Sequence, residues 1–306
     1  MNAPEAARRL ADVASKTWID TGRRAVRFGE LDERIRSIAA LLAARGIAIG
    51  DRVVIASHDD AETALNFVAL VASGTTVVNL DPETAAPRAQ ALIARSAASL
   101  MIVDAALADS WALEASDRLI RIEPAPVDTT LLGGLVRRAP ASGLHAELAS
   151  AGTVAPPVAI PPETIAYILF TSGTTRQPKG VCISHRALFA HLATLSRIYG
   201  CNEDSVILNT LMLSHADGII QGPMLAWFNR ALLHRPFRFE IGTIDRLLDA
   251  VYRLRITHMV AVPTMLALIM RLAGGRSDAF QGGDFRLMIS CGAALWAALQ
   301  LAARPE

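Results

Sequence analysis

Cysteine is scarce in this chain. Cys182, Cys201 and Cys291 are the only three in 306 residues, odd in number, far apart and outside any C-x-x-C spacing. That pattern excludes a disulfide framework and a zinc site, and it fits idle thiols in a reducing, cytoplasmic compartment. Excess charge is missing too: thirty Lys plus Arg stand against twenty-nine Asp plus Glu, a net charge of +1. No overall field of one sign recruits nucleic acid or an anionic membrane, so a charged partner must be held locally. The N-terminal MNAPEAARRLADVASK carries charges where a signal peptide needs an apolar stretch, which argues against export. The uncharged run from Thr63 to Leu80 is broken by Asn66, Ser73, Gly74, Thr75 and Thr76 and closed by Asp81-Pro82. It reads as a buried helix, a glycine stop and a buried strand, with no membrane span. Short-period repeats of the solenoid kind are absent.

What the chain has is apolar content, 52% of its residues, enough for one large domain or two ordinary ones. Apolar residues alternate between helical spacing and short continuous runs. Leu31, Ile35, Ile38 and Leu42 share a helical face, and Val53 to Ile55 form a run. DDAETALNFVALVASG followed by TTVVNLD, and PETAAPRAQALIARSAA followed by SLMIVD, repeat the order. Such alternation predicts parallel sheets covered by helices. Residues 137–162 lack periodicity and carry five prolines, so they read as a long connection between two α/β subdomains, 1–136 and 163–306. In the second, TIAYILFTS is a predicted strand, SHRALFAHLATLSRIYG a helix, ADGIIQGPMLAWFN another helix, and ALWAALQLAAR a terminal helix.

Between the strand ending near Phe170 and the helix opening near Ser184 lies TSGTTRQPKGV. Thr171, Ser172, Thr174 and Thr175 offer hydroxyl donors, Gly173 permits close backbone approach, and Lys179 adds a point charge, with Pro178 and Gly180 fixing the chain around it. Phosphate oxygens suit such a loop. By composition alone it is equally an ordinary polar strand-to-helix turn, since Ser, Thr and Gly are common turn residues. It is not the nucleoside-triphosphatase P-loop, because the lysine precedes its glycine.

YILFTSGTTRQPKGV resembles the phosphate-loop signature of the adenylate-forming superfamily: acyl- and aryl-CoA synthetases, luciferase-like enzymes and adenylation domains of nonribosomal peptide synthetases. Arg176 stands where that signature has a glycine. The resemblance continues through LMLSHADGIIQGPM, which places His215 and Gly218 at the motif histidine and glycine, through ITHMVAVPTMLALIM, and through FRLMISCGAALWAAL, where Cys291 and Ala294 replace a glycine and a proline. It implies the layered N-terminal region of the adenylate-forming fold, without the small C-terminal domain. It also implies a substrate set of ATP and a small carboxylic acid, magnesium, and coenzyme A or a carrier-protein thiol as acceptor. Thr171, Ser172, Gly173, Thr174, Thr175, Lys179 and Gly180 would serve the phosphates. Gly292, Ala293 and Ala294 would form the backbone turn against adenine, and His215 would stand beside the incoming carboxylate.

The resemblance favours an AMP-forming carboxylate–CoA ligase, with a peptide-synthetase adenylation domain and a non-catalytic nucleotide-binding or assembly module as alternatives. His215-x-x-Gly218 favours the first, and Arg176 the last. The family's later Tyr-Gly-x-Thr-Glu motif and its adenylation lysine find no counterpart, since no lysine follows Lys179. The expectation is the N-terminal part of a longer ligase, or a chain working with a partner chain, that adenylates extremely slowly or not at all alone.

Overall fold

The structure is a computed structural model and describes residues 1–123, 142–171, 179–272 and 277–295. Along the chain run α1 (Ala3–Arg8), β1 (Thr17–Asp20), β2 (Ala25–Arg27), α2 (Phe28–Ala44), β3 (Arg52–Ala56), α3 (Asp60–Ala72), β4 (Thr76–Asn79), α4 (Ala86–Ser96), β5 (Leu100–Asp104), α5 (Ala105–Ser110), β6 (Leu119–Ile122) and α6 (Gly143–Ala151). Then come β7 (Ile165–Thr171), β8 (Lys179–Ser184), α7 (His185–Tyr199), β9 (Val206–Asn209), α8 (Ala216–Ile219), α9 (Leu225–Asn229), β10 (Leu232–His234), α10 (Ile244–Arg253), β11 (His258–Ala261), α11 (Pro263–Leu272) and β12 (Leu287–Ser290). The chain divides into two compact units, one of Met1–Arg9 and Glu30–Phe189, the other of Leu10–Gly29 and Ala190 onward.

The first unit is built on a six-stranded sheet in the order β6-β5-β3-β4-β7-β8, parallel except for the β7–β8 pair. Its strands are apolar runs because helices cover them. Helix α3 starts at Asp59, whose Oδ1 accepts from the amides of Ala61 (2.7 Å) and Glu62 (3.1 Å), satisfying donors that the first turn leaves open. Gly74, at φ +82°, then turns the chain into β4. Val54, Val78, Leu92, Val103, Trp111 and Ile168 pack into one core, and the Trp111 indole donates to the Thr84 carbonyl (2.9 Å).

The second unit carries a sheet in the order β12-β11-β9-β10-β1-β2, parallel except for β1–β2. Leu208, Leu247, Leu248, Ile256, Met259 and Leu266 form its core. Tertiary pairing overrides the predicted break at 137–162, because β7 and β8 complete the first sheet and β1 and β2 the second. Residues 143–151, inside the expected connection, form α6, whose Leu144 and Leu148 are buried. The predicted helix over 216–229 is interrupted: residues 220–224 make a π turn containing Pro223, with Gly222 at φ −108°, ψ −107°. The Trp18 indole on β1 donates to the Pro223 carbonyl (3.3 Å) at this break. The predicted terminal helix, residues 294–304, falls mostly beyond residue 295, outside the described residues. Among the described residues no helix is long and apolar enough to cross a membrane.

His185, at the start of α7, is buried and stacks on Phe189. Burial lowers its pKa from the ordinary 6.5 to about 4. Burial also lowers His234 and His258. The unfolded chain therefore takes up protons first as the pH falls. The stability held by the neutral His185 ring is complete above about pH 6.5 and is lost between there and about pH 4. For His185 the loss is about 2 kcal/mol by pH 5. Urea midpoints at pH 7 and pH 5 should show it, and His185→Phe should shrink the difference; a variant as pH-sensitive as the parent would refute the assignment.

Candidate active site

The loop TSGTTRQPKGV joins two strands of a hairpin and does not lead from a strand into a helix as the sequence predicts. Thr171 ends β7 and Lys179 opens β8, and the two are paired directly across the ladder. Antiparallel pairing of adjacent segments satisfies the backbone at both ends. Ser172, Gly173, Thr174, Thr175, Arg176 and Pro178 lie outside the described residues. Lys179 is exposed at the exit of the loop. Gly180 pairs with Phe170, and a Cβ there would stand 3.3 Å from the Phe170 ring and 3.0 Å from Ile168 Cγ2. The glycine therefore lets side chains of the neighbouring strand lie flat over β8 beside Lys179.

In the second unit, His215 is the extended N-cap residue of α8 and is exposed. Its carbonyl accepts from the amides of Gly218 (3.1 Å) and Ile219 (3.0 Å). Gly218 is there because the chain folds back on itself: a Cβ would lie 2.0 Å from the Met212 carbonyl oxygen. Two further groups hold this bend. The buried Arg235 donates to the carbonyls of Asn209 (2.6 Å) and Leu211 (2.8 Å), and Asn209 Nδ2 donates to the Asp217 carbonyl (2.9 Å). Gly292, Ala293 and Ala294 are exposed in the turn after β12, with Gly292 at φ +81°. A Cβ on Gly292 would meet Asp217 Oδ2 at 3.3 Å, which puts the Gly292 turn and the His215 segment of the second unit side by side.

Cys291 occupies the position of the expected glycine, and its side chain turns inward. Its thiol donates to the Ala261 carbonyl at 3.5 Å. Burial first, then the charge of the nearby Asp217, push the thiol up to about 12, so it stays protonated. Asp217 Oδ1 accepts from Gln221 Nε2 (2.7 Å), and Gln221 Oε1 accepts from the Tyr199 hydroxyl (3.0 Å). Tyr199 is itself raised by burial and by Cys291 and Asp217. Sequence reasoning missed Asp217, Gln221, Tyr199 and Arg235. Asp217 was signalled by lying between His215 and Gly218, whereas the others join the site only through tertiary contact.

Among the described residues no group of three or more His, Cys, Asp or Glu side chains is placed to hold a metal ion.

The family model of AMP-binding enzymes matches residues 5–305. Polyketide synthase PksN of Bacillus subtilis is 24% identical over 293 residues, 95% of this chain and 5% of that protein. The L-proline--[L-prolyl-carrier protein] ligase of Pseudomonas fluorescens is 30% identical over 176 residues, 58% of this chain and 33% of that protein. Among solved structures, ATP-bound MatB from Rhodopseudomonas palustris superposes with a TM-score of 0.78 at 24% identity, over 98% of this chain and 56% of that one. The inhibitor-bound N-terminal domain of FACL13 from Mycobacterium tuberculosis superposes with a TM-score of 0.77 at 21% identity, over 97% of this chain and 71% of that one. The chain thus spans a third or less of these two curated relatives and just over half of MatB. Two mostly parallel sheets with their helices reproduce the N-terminal region of adenylate-forming enzymes. With the match covering nearly all 306 residues, the chain belongs to the family of AMP-binding enzymes.

Proposed function

We propose that this chain carries the nucleotide- and acid-binding part of an AMP-forming acid–thiol ligase. A carboxylate oxygen attacks the α-phosphorus of ATP, the bond to the β-phosphate breaks, and pyrophosphate leaves with the electron pair. A thiol, of coenzyme A or of a carrier protein, then displaces AMP from the acyl adenylate and gives up its proton. The observation that carries the reading is the hairpin in which Thr171 and Lys179, paired across the ladder, bracket seven residues rich in hydroxyls and glycine.

In this reading Thr171, Ser172, Gly173, Thr174 and Thr175 give hydroxyl and amide donors to the β- and γ-phosphates, and Lys179 places a cation on charge that grows as pyrophosphate departs. Such groups, fixed before reaction, lower the barrier because they need no reorganisation when the charge develops. Gly292, Ala293 and Ala294 present backbone to adenine, where a backbone role tolerates Cys291 beside them. His215 donates a hydrogen bond to the incoming carboxylate; that nucleophile is already ionised and needs no base. Magnesium, where bound, would add charge neutralisation at the phosphates.

Lys179→Ala is expected to weaken ATP binding in titration by about tenfold, the size of one charge-assisted contact. Unchanged ATP affinity in the variant would remove the hairpin loop from the site. Arg176 in place of the usual glycine favours a second reading, a nucleotide-binding module without catalysis, and ATP binding unaccompanied by binding of any acyl-adenylate mimic would single it out.

A further inference from the structure

The parallel strands β11 and β12 lie between two concave regions of the second unit. The Gly292 turn follows their C-terminal ends, and a cavity of about 280 Å³ opens at their N-terminal ends, where Ile256 leads into β11 and Phe285 into β12. Four residues of strand, about 13 Å, separate the two. Small-molecule sites run from about 300 Å³ upward, so the cavity suits a compact ligand. Its floor is apolar: Val251 and Ile256 are buried, and the half-buried Phe285 takes the Phe280 ring edge-on at 5.0 Å. Tyr252 forms a wall and is 67% exposed. Its ring lies against Gly282, where a Cβ would come within 3.1 Å of Cδ2.

The rim is cationic. Arg253 and Arg255 line the mouth with one carboxylate, Asp284, and the exposed Arg286 adds its charge beside Asp284. Three positive charges thus face one negative, in a chain whose net charge is only +1. Arg255 donates through Nε and Nη2 to the two Asp284 oxygens, each at 3.0 Å, which uses two of its five N–H groups. Arg253 pairs with no carboxylate among the described residues. The Arg255–Asp284 pair is open to solvent, and such pairs stabilise a fold little. The backbone disfavours an arginine here as well. Past α10 the Ile256 amide donates to the Val251 carbonyl (3.0 Å) and the Arg255 amide to the Tyr252 carbonyl (3.2 Å). This closure puts Arg255 at φ +53°, where helix ends ordinarily have glycine. Neither the ion pair nor the turn accounts for a guanidinium at this position.

We propose that this cavity is a second ligand site, apart from the nucleotide and acid site, for a small organic anion with a flat apolar body. The body stacks on Tyr252 above Val251, Ile256 and Phe285, and the anionic head takes the open N–H groups of Arg253 and Arg255. Apolar walls with a few placed donors are the usual make-up of such sites. Guanidinium forks match carboxylate and phosphate heads alike, so the two share this chemistry.

The test titrates 2-naphthoate, 2-naphthyl phosphate and the neutral 2-naphthamide into the chain, read by ligand line broadening in NMR spectra. At least one anion should bind about tenfold or more tightly than the amide, the size of one charge-assisted hydrogen bond, and the tighter anion names the head group. Arg255→Gly removes the cation and gives the helix end the residue its backbone favours. It should keep the thermal unfolding of the parent while that preference collapses, and Arg255→Gln serves if the glycine variant does not fold. Asp284→Asn frees the donors that Asp284 holds and should tighten the anion severalfold. ATP affinity should be unchanged in both variants. Anions that bind no better than the amide would overturn the proposal. So would an anion affinity indifferent to both substitutions, the behaviour of a probe lodged in the acid site of the adenylation reading, which would itself still stand.

Discussion

Gly218→Ala should destabilise the second unit by more than about 3 kcal/mol and displace His215, because the added methyl has nowhere to go. Its Cβ would sit 2.0 Å from the Met212 carbonyl oxygen and 2.6 Å from the carbonyl carbon, and both belong to the backbone. The backbone there cannot yield locally. Arg235 holds the carbonyls of Asn209 and Leu211, Asn209 holds the Asp217 carbonyl, and the His215 carbonyl takes the amides of Gly218 and Ile219. Relief of the clash breaks several of these bonds at once. Thermal unfolding should move down by roughly 6 °C or more. A shift of a degree or two would show that the 212–218 bend is looser than these contacts require.

Glu62→Gln should have a comparable effect on the first unit. Arg34 Nη1 and Nη2 reach Glu62 Oε2 and Oε1 at 2.8 and 3.2 Å, and Nη1 also donates to Asn66 Oδ1 at 2.6 Å. The two side chains are 8% and 6% exposed, so removing one charge strands the other in the interior. The expected loss is about 3–5 kcal/mol. The pair itself stabilises far less than that, because desolvation offsets its attraction. The double replacement Arg34→Met with Glu62→Leu should therefore recover most of the loss in the same urea titration. A double variant as unstable as the single one would mean that Arg34 and Glu62 hold something beyond each other.

Local pattern carried much of the fold. The uncharged run from Thr63, the glycine stop at Gly74 and the apolar run that follows announced α3 and β4, because glycine stops and buried strands are properties of neighbouring residues. Pairing partners were not so written. Residues 165–184 follow the proline-rich segment, yet they add to the sheet that precedes it, and β1 with β2 adds to the sheet far downstream. No local signal decides which sheet edge a strand joins. The hairpin at Thr171 and Lys179 escaped notice for a related reason: Lys179 to Ser184 is short, glycine-containing and followed at once by a helix, so a strand there is visible only once β7 pairs with it.

The sequence by itself determined the family, through the hydroxyl- and glycine-bearing run that ends in Lys179 and the histidine–glycine motif at His215 and Gly218, since each is a contiguous run set by side-chain type and spacing. Only the tertiary structure decided that Cys291 turns inward and that Asp217, Gln221 and Tyr199 form a network beside the Gly292 turn. Those residues come from α7, α8, the π turn and the end of β12, and a carboxylate acquires its neutral surroundings only when such distant segments are packed together.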